Sequence, residues 1–182
     1  MAQNLEVYSV SPDDGVAAPW FIDPSGRTVF PTEGRLPEGT RAEWRPWRLR
    51  PSRRMSPVPD VSNLGSALLI RPELVTGLPM TRGEDYVELE VVRNDFPHRV
   101  LDFLPLEGAF NRDLSKYTTI EGLDHEVIFQ VQKHVFDQVR IGTRRAFTTA
   151  EFGSRMFVTR PVVDHLANAQ GLPFEKLWSA SL

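Results

Sequence analysis

Prolines crowd the first third of the chain and limit the elements that it can form. Nine of the fifteen prolines precede residue 60, at positions 12, 19, 24, 31, 37, 46, 51, 57 and 59. Proline fixes φ and has no backbone N–H, so it is tolerated in turns and edge strands but not in helix interiors or central strands. The sequence therefore predicts short strands and ordered loops over residues 1–54, with turns at residues 12–15 and 23–26.

Apolar runs and apolar–polar alternation predict strands along the whole chain. The alternation favours antiparallel pairing, because strands of a parallel sheet buried on both faces would be continuously apolar. The expected fold is α+β: one domain over residues 1–182, with a mostly antiparallel sheet and short helices near 72–76 and 160–170, close to the C-terminus. The predicted strands are residues 5–10, 20–22, 28–30, 67–70, 86–92, 126–132, 135–141 and 156–158.

One short pattern occurs twice and marks both predicted helices. A strand is followed by Arg71-Pro72 and later by Gly77-Leu78-Pro79, and a second strand is followed by Arg160-Pro161 and later by Gly171-Leu172-Pro173. Proline suits the first turn of a helix, and glycine with proline ends one. Thr159 is the candidate N-cap of the second helix.

The chain contains no cysteine, which excludes disulfides, thiolate metal sites and cysteine nucleophiles. Its first residues have no basic n-region or apolar stretch of signal-peptide length, and no segment approaches the ~20 apolar residues that cross a bilayer. We expect a cytoplasmic protein without membrane contact. A chain of 182 residues buries enough surface to fold without a cofactor, and we expect none.

The sequence contains no recognisable catalytic or metal-binding motif. His125-Glu126 begins like a zinc-protease helix, but the second histidine that must follow at i+4 is Phe129. The four histidines at 98, 125, 134 and 165 leave a Ser/His/Asp hydrolase open as an alternative, although no spacing selects one set of residues. We expect a protein that is not an enzyme.

Arginine and tryptophan alternate in residues 41–54, where Trp44 and Trp47 stand among arginines. Such a segment can bind single-stranded nucleic acid by pairing with phosphates and stacking on bases. The same residues can also hold a proline-rich loop on its own domain, and the pI near 5.8 is low for a nucleic-acid binder. Nucleic acid is therefore disfavoured as a partner but stays open as an alternative.

A family resemblance lies in residues 100–115, Val-Leu-Asp-Phe-Leu-Pro-Leu-Glu-Gly-Ala-Phe-Asn-Arg-Asp-Leu-Ser. This segment resembles the middle of the immunity proteins of bacterial polymorphic-toxin systems, family eleven. Pro59-Asp60 with the strand and helix that follow, and the strand, helix and Gly-Leu turn of residues 156–174, are similar to the same family. The resemblance covers residues 55–178, and the chain departs from it at Gly171-Leu172-Pro173-Phe174, where the family often has a further glycine.

The resemblance implies a non-enzymatic protein that binds and neutralises a cognate protein toxin, encoded by an adjacent gene. It supplies no catalytic residue to carry across. It also leaves the activity of the toxin open.

Charge is distributed unevenly along the chain. Residues 27–54 carry eight arginines against three glutamates, a balance of +5, whereas residues 83–126 carry eleven acids against four basic residues, a balance of −7. The two segments can attract each other within the fold, or the acids can steer a basic partner. For the second case we predict that the partner docks on acids in the loops between strands, namely Glu107, Asp113, Glu121 and Asp124.

Overall fold

Strands are the main regular elements of the structure, as the alternation predicts. The computed structural model describes residues 4–10, 20–22, 28–29, 47–50, 59–64, 66–92, 97–121, 126–152 and 155–180. Within these ranges the strands are β1 (Glu6–Val10), β2 (Trp20–Ile22), β3 (Thr28–Val29), β4 (Trp47–Arg50), β5 (Val61–Leu64), β6 (Ala67–Ile70), β7 (Tyr86–Leu89), β8 (Val91–Val92), β9 (Arg99–Phe103), β10 (Lys116–Glu121), β11 (Glu126–Lys133), β12 (Ala146–Phe147), β13 (Met156–Thr159) and β14 (Phe174–Ser179). The helices are α1 (Pro72–Val75), α2 (Gln138–Ile141) and α3 (Arg160–His165), with a 3-10 turn at Ala150–Phe152.

The strands form four sheets. The central sheet has the order β12-β13-β1-β14, a second sheet the order β5-β6-β9-β7, and an N-terminal sheet the order β3-β2-β4-β8. Strands β10 and β11 form a separate two-stranded hairpin. Among the described strands every pairing is antiparallel except β4 with β8. The predicted α+β class, with antiparallel sheets and short helices in a single domain, is confirmed.

Both faces of the central sheet are buried, and each face belongs to a different core. Tyr8, Val10 and Met156 point to the core that the sheet shares with β6 and β9. Val7 and Phe157 point the other way, into an aromatic core. Successive side chains of a strand alternate between faces, so this sheet needs a cover on each side. The β5-β6-β9-β7 sheet supplies one cover, and the hairpin with its flanking turns supplies the other.

The repeated strand and Arg-Pro pattern produces the same local structure twice. β6 leads into α1 and β13 into α3, and both helices have proline in the first turn. Helix α3 ends at His165, five residues before the predicted end at 170. Thr159 occupies the N-cap position, but its hydroxyl donates to the Arg145 carbonyl (3.4 Å) and makes no cap hydrogen bond. Thr159 is therefore the N-cap residue, as predicted, but its side chain does not cap the helix.

Two strand predictions need correction, and two turn predictions are not described. Residues 135–141 do not form a strand, because Asp137 accepts hydrogen bonds from the backbone of Val139 (2.9 Å) and Arg140 (3.1 Å) and begins α2. Residues 86–92 form two strands, β7 and β8, which pair in different sheets. The predicted turns at residues 12–15 and 23–26 lie outside the described residues.

The turn after α3 closes against the segment that precedes β5. Gly171 has φ +115°, and a Cβ atom there would lie 2.2 Å from the Val61 carbonyl oxygen. The Val61 amide donates to the Gln170 carbonyl (3.1 Å), and His98 donates from Nε2 to the Pro59 carbonyl (2.7 Å). Only glycine permits this close approach, which joins two segments more than a hundred residues apart.

A buried carboxylate joins the two main sheets. Asp85 is 1% exposed and accepts hydrogen bonds from the backbone of Thr81 (2.7 Å), Arg145 (2.7 Å) and Ala146 (3.2 Å). Thr81 belongs to the turn before β7, and Ala146 begins β12. A charged acceptor for three backbone donors strengthens each bond, and its removal would leave those donors without a partner.

We expect Asp85→Ala to destabilise the fold by on the order of 3 kcal/mol, since it deprives three backbone amides, one of them on the buried Ala146, of their acceptor. For a chain of this size, the loss corresponds to a fall in Tm of roughly 6–12 °C. Glu84→Ala is the matched control, because Glu84 is the exposed neighbour and its removal should change stability by less than about 0.5 kcal/mol. Equal melting temperatures for the two variants would contradict this role of Asp85.

Candidate functional site

The β10–β11 hairpin has an irregular ladder that sets the direction of its side chains. Thr118 pairs with Gln130 and Thr119 with Ile128, so Phe129 is an additional residue without a counterpart on β10. A second irregularity leaves Gln132 without a counterpart, because Tyr117 pairs with Val131 and Lys116 with Lys133. Such β-bulges redirect side chains and increase the local twist.

The inner face of the hairpin rests on the aromatic core. Tyr117, Ile128 and Val131 pack against this core, whose centre includes Phe110 and Phe136. The two bulges bring Ile128, Val131 and His134 inward at intervals of three residues. Phe110 meets the Tyr117 ring at 6.1 Å and the Phe136 ring at 6.0 Å, in tilted and edge-on geometries that aromatic pairs favour.

The outer face of the hairpin exposes large apolar side chains. Phe129 is 71% exposed and Ile120 is 53% exposed, and Leu114, in the turn before β10, is 63% exposed. Ile120 pairs with Val127, and the bulged residue Phe129 follows Val127 by two positions on β11. We call Ile120 and Phe129 the hairpin face. An exposed phenylalanine forgoes roughly 1.5–3 kcal/mol of burial, which a partner that covers it would recover.

The four acids predicted from the sequence are spread out along this part of the chain. Glu107 is exposed in a turn before the hairpin, and Asp113 is exposed in the turn that leads into β10. Glu121 is the last residue of β10, where the ladder pairs it with Glu126, and Asp124 lies outside the described residues. The six residues of β10 span roughly 20 Å between the two ends. The structure therefore does not gather the described acids into one cluster.

Much of the acidic segment 83–126 serves the fold. Asp85 and Asp102 are each 1% exposed, and Asp102 accepts a hydrogen bond from the Ser66 hydroxyl (3.1 Å). Glu88 forms an ion pair with Arg99 (3.2 Å) across neighbouring strands. The net charge of −7 therefore overstates the negative charge that this segment presents to a partner.

A cleft of about 760 Å³ lies between the start of β1, α2 and the start of α3. Glu6 is the centre of its charged wall: the carboxylate accepts hydrogen bonds from Tyr8 (2.7 Å), Arg160 (3.3 Å) and Lys176. Arg160 also pairs with Asp164 (2.7 Å). Hydrogen bonds from Lys176 and then from Tyr8 lower the pKa of Glu6, whereas burial and the hydrogen bond to Glu6 raise the pKa of Tyr8.

These pKa directions do not favour proton transfer in the cleft. A general acid or base works best with a pKa near the working pH, but Glu6 is held in its ionised form and Tyr8 in its neutral form. Two of the histidines bond to backbone carbonyls instead: His98 to Pro59 and His165 to Leu74 (2.9 Å). Among the described side chains no three His, Asp or Glu residues lie close enough together to hold a metal ion. The described ranges also contain no helix long and apolar enough to cross a membrane.

The Arg/Trp segment is described only in part. Trp47–Arg50 forms β4, which lies between β2 and β8 in the N-terminal sheet. Four residues of the segment therefore have a structural role as an interior strand of their sheet. Trp44 lies outside the described residues.

His134 is placed where protonation is unfavourable. Its ring stacks on Phe136 (6.2 Å, 5° between planes) and meets Phe110 edge-on (6.4 Å). Its Nε2 atom is buried and has no hydrogen-bond partner among the described residues. Burial, and secondarily the charge of Arg155, lowers its pKa, and the charge of Glu175 opposes this shift.

Sequence reasoning missed the hairpin face. Phe129 entered that reasoning only as the residue that replaces a second histidine, and regular alternation was assumed for residues 126–132. Bulges depend on how many residues the partner strand contributes, and this number cannot be read from one strand. No family model and no curated protein sequence matches this chain. The resemblance to immunity proteins therefore stays a prediction.

Because the folded state favours neutral His134, we expect it to stabilise the protein above pH 6.5, the ordinary pKa of histidine, and to lose this contribution as the pH falls through the lowered value. His134→Phe keeps a stacked ring and removes the titration. The fall in Tm from about pH 7.5 to about pH 5 should therefore be smaller in the variant than in the wild type. His98 is present in both proteins, so the difference isolates His134. Identical pH dependence would contradict this assignment.

Proposed function

We propose that this chain is an immunity protein that binds and neutralises a cognate bacterial toxin in the cytoplasm, and that the toxin docks on the hairpin. The observation that carries the proposal is the exposed pair Ile120 and Phe129 on the outer face of β10 and β11. Aromatic residues that a partner buries contribute strongly to binding energy. The inner face of the same hairpin is fixed on the aromatic core, so the docking surface is held in place before the partner arrives.

The polar groups of the cleft favour a structural role over catalysis. Arg160 bonds to Glu6, Tyr8 and Asp164, and its bonds to Glu6 and Tyr8 tie β1 to α3. A general acid or base works best with a pKa close to the working pH, and hydrogen bonds from Lys176 and Tyr8 lower the pKa of Glu6 away from it. The cleft therefore supports a structural role for this network, which leaves the hairpin as the stronger candidate site.

Charge at the free end of the hairpin supports a basic partner. The ladder pairs Glu121 with Glu126, and Asp124 stands between them in the sequence. Like charges at directly opposite positions of a ladder are unfavourable, and a cationic group of a partner removes that cost. Electrostatic steering acts mainly on the association rate, which suits an inhibitor that must capture its toxin quickly.

The test of this function is co-expression with the toxin domain encoded by the adjacent gene. We expect this chain to restore growth and to co-purify with the toxin domain. In the same assay, Phe129→Ala should weaken the complex about 30-fold, the effect of losing roughly 2 kcal/mol of interface contact. The fold should be unaffected, because Phe129 is largely exposed.

Val139→Ala is the matched control for Phe129→Ala. Val139 is 89% exposed on α2, where it lines the cleft and is not part of the hairpin, so its truncation should leave binding and rescue unchanged. Rescue without co-purification would contradict direct neutralisation. Equal binding by the two variants would place the docking surface elsewhere. Turnover of an ester, phosphodiester or peptide substrate that one histidine substitution abolishes would favour the hydrolase alternative.

Charge reversal tests the predicted acids. We expect Glu107→Lys, Asp113→Lys, Glu121→Lys and Asp124→Lys together to slow association with the toxin about tenfold at low salt and to weaken its dependence on salt. Because β10 separates the acids, Glu121→Lys with Asp124→Lys should produce most of the effect, and the other two substitutions serve as the control pair. Stopped-flow mixing measures the rates. A quadruple variant that associates at the wild-type rate would rule out steering by these acids.

A further inference from the structure

The edges of the sheets differ in length and in protection. A strand at an edge presents unpaired N–H and C=O groups that can pair with another chain. In the described part of the structure β3, β5, β7, β8 and β12 are edge strands of four residues or fewer, whereas β14 has six. Each strand of the hairpin also has one edge that pairs with no other described strand, because within these ranges the hairpin is a sheet of two strands.

Among the described strands, β10 is the long edge strand that has neither a bulge of its own nor a charge in its middle. Its partner β11 carries both bulges, and bulges twist an edge away from further pairing. Strand β14 carries the exposed charges of Glu175 and Lys176 and pairs with β1 through an irregular register. Residues 117–120 of β10 are Tyr-Thr-Thr-Ile, without a charge, a proline or a glycine, and the residues that interrupt the ladder belong to β11.

We propose that the open edge of β10 pairs with an extended segment of the toxin, so that the hairpin becomes a three-stranded sheet in the complex. This inference rests on the proposed function and specifies how the toxin is held. Backbone hydrogen bonds along an edge provide affinity, and the neighbouring side chains provide specificity. The hairpin face lies beside this edge, so outward side chains of the added strand would cover Ile120.

Charge along the ladder defines the partner segment. Lys116 pairs with Lys133 at one end of the hairpin, and Glu121 pairs with Glu126 at the other. Each pair sets like charges opposite one another, so both ends favour an added charge of the opposite sign. The complementary segment is an extended stretch of about six residues, with an acid and a base about five positions apart and apolar residues between them.

Residue-resolved amide exchange tests the pairing directly. The probe is the purified, catalytically inactivated toxin domain that passes the co-expression test. We expect alternate amides of residues 117–120, which point away from β11, to exchange at least tenfold more slowly in the complex than in the free protein. The amides of β14, the other six-residue edge, should not change and serve as the control.

Proline substitution separates the two sides of β10. Successive amides of a strand point to opposite sides, so one of Thr118→Pro and Thr119→Pro removes a donor to β11 and the other removes a donor at the open edge. The first variant should have a lower Tm. The second should keep the wild-type Tm and bind the toxin at least tenfold more weakly.

The outcomes distinguish this inference from the proposed function. In one outcome Phe129→Ala weakens the complex, but the β10 amides stay unprotected and both proline variants bind normally. This result overturns the added strand and leaves the proposed function standing. Failure to bind or to rescue overturns both. The β10 amides could instead be protected from exchange without toxin, to a degree that rises with protein concentration. This result assigns the edge to a second copy of this chain and overturns the toxin as its binding partner.

Discussion

Burial of both faces of the central sheet is the constraint on which the rest of the structure depends. β1 and β13 send alternate side chains into two different cores, so neither core forms without a separate cover. The β5-β6-β9-β7 sheet covers one face. Asp85, next to β7 of that sheet, links it to β12, because its carboxylate accepts hydrogen bonds from the backbone amides of Arg145 and Ala146. The hairpin covers the other face, and its outer side is thereby turned toward solvent. The candidate site is a consequence of this arrangement.

The sequence predicted the elements whose signals are local. Residues 67–70 and 20–22 appear as β6 and β2 with the predicted bounds, and the Arg-Pro pattern marks the start of α1 and α3. Apolar alternation and proline position depend on a few neighbouring residues, and the antiparallel α+β class follows from them. The division into four sheets could not be predicted in the same way, because a partner strand is chosen by the complete set of buried faces.

The sequence predictions that were wrong failed for physical reasons that particular residues show. Asp137 turns an apolar stretch into a short helix, because its side chain offers the backbone an alternative to a strand ladder. Asp85 and Asp102 are buried, where they accept hydrogen bonds from backbone amides and a hydroxyl group. The net charge of the segment counted both as if they were surface charges. Of the four acids predicted for docking, the sequence indicated exposed turns correctly for Glu107 and Asp113. It did not indicate Phe129, whose exposure depends on a bulge.

The two bulges of β11 change how many of its positions the fold constrains. A regular strand on a core commits every second residue to packing, but between residues 128 and 134 only Ile128, Val131 and His134 turn inward. The four residues between them, Phe129, Gln130, Gln132 and Lys133, are exposed. Substitutions at these positions leave the aromatic core intact. The outer surface of the hairpin can therefore diverge while the fold beneath it is inherited unchanged.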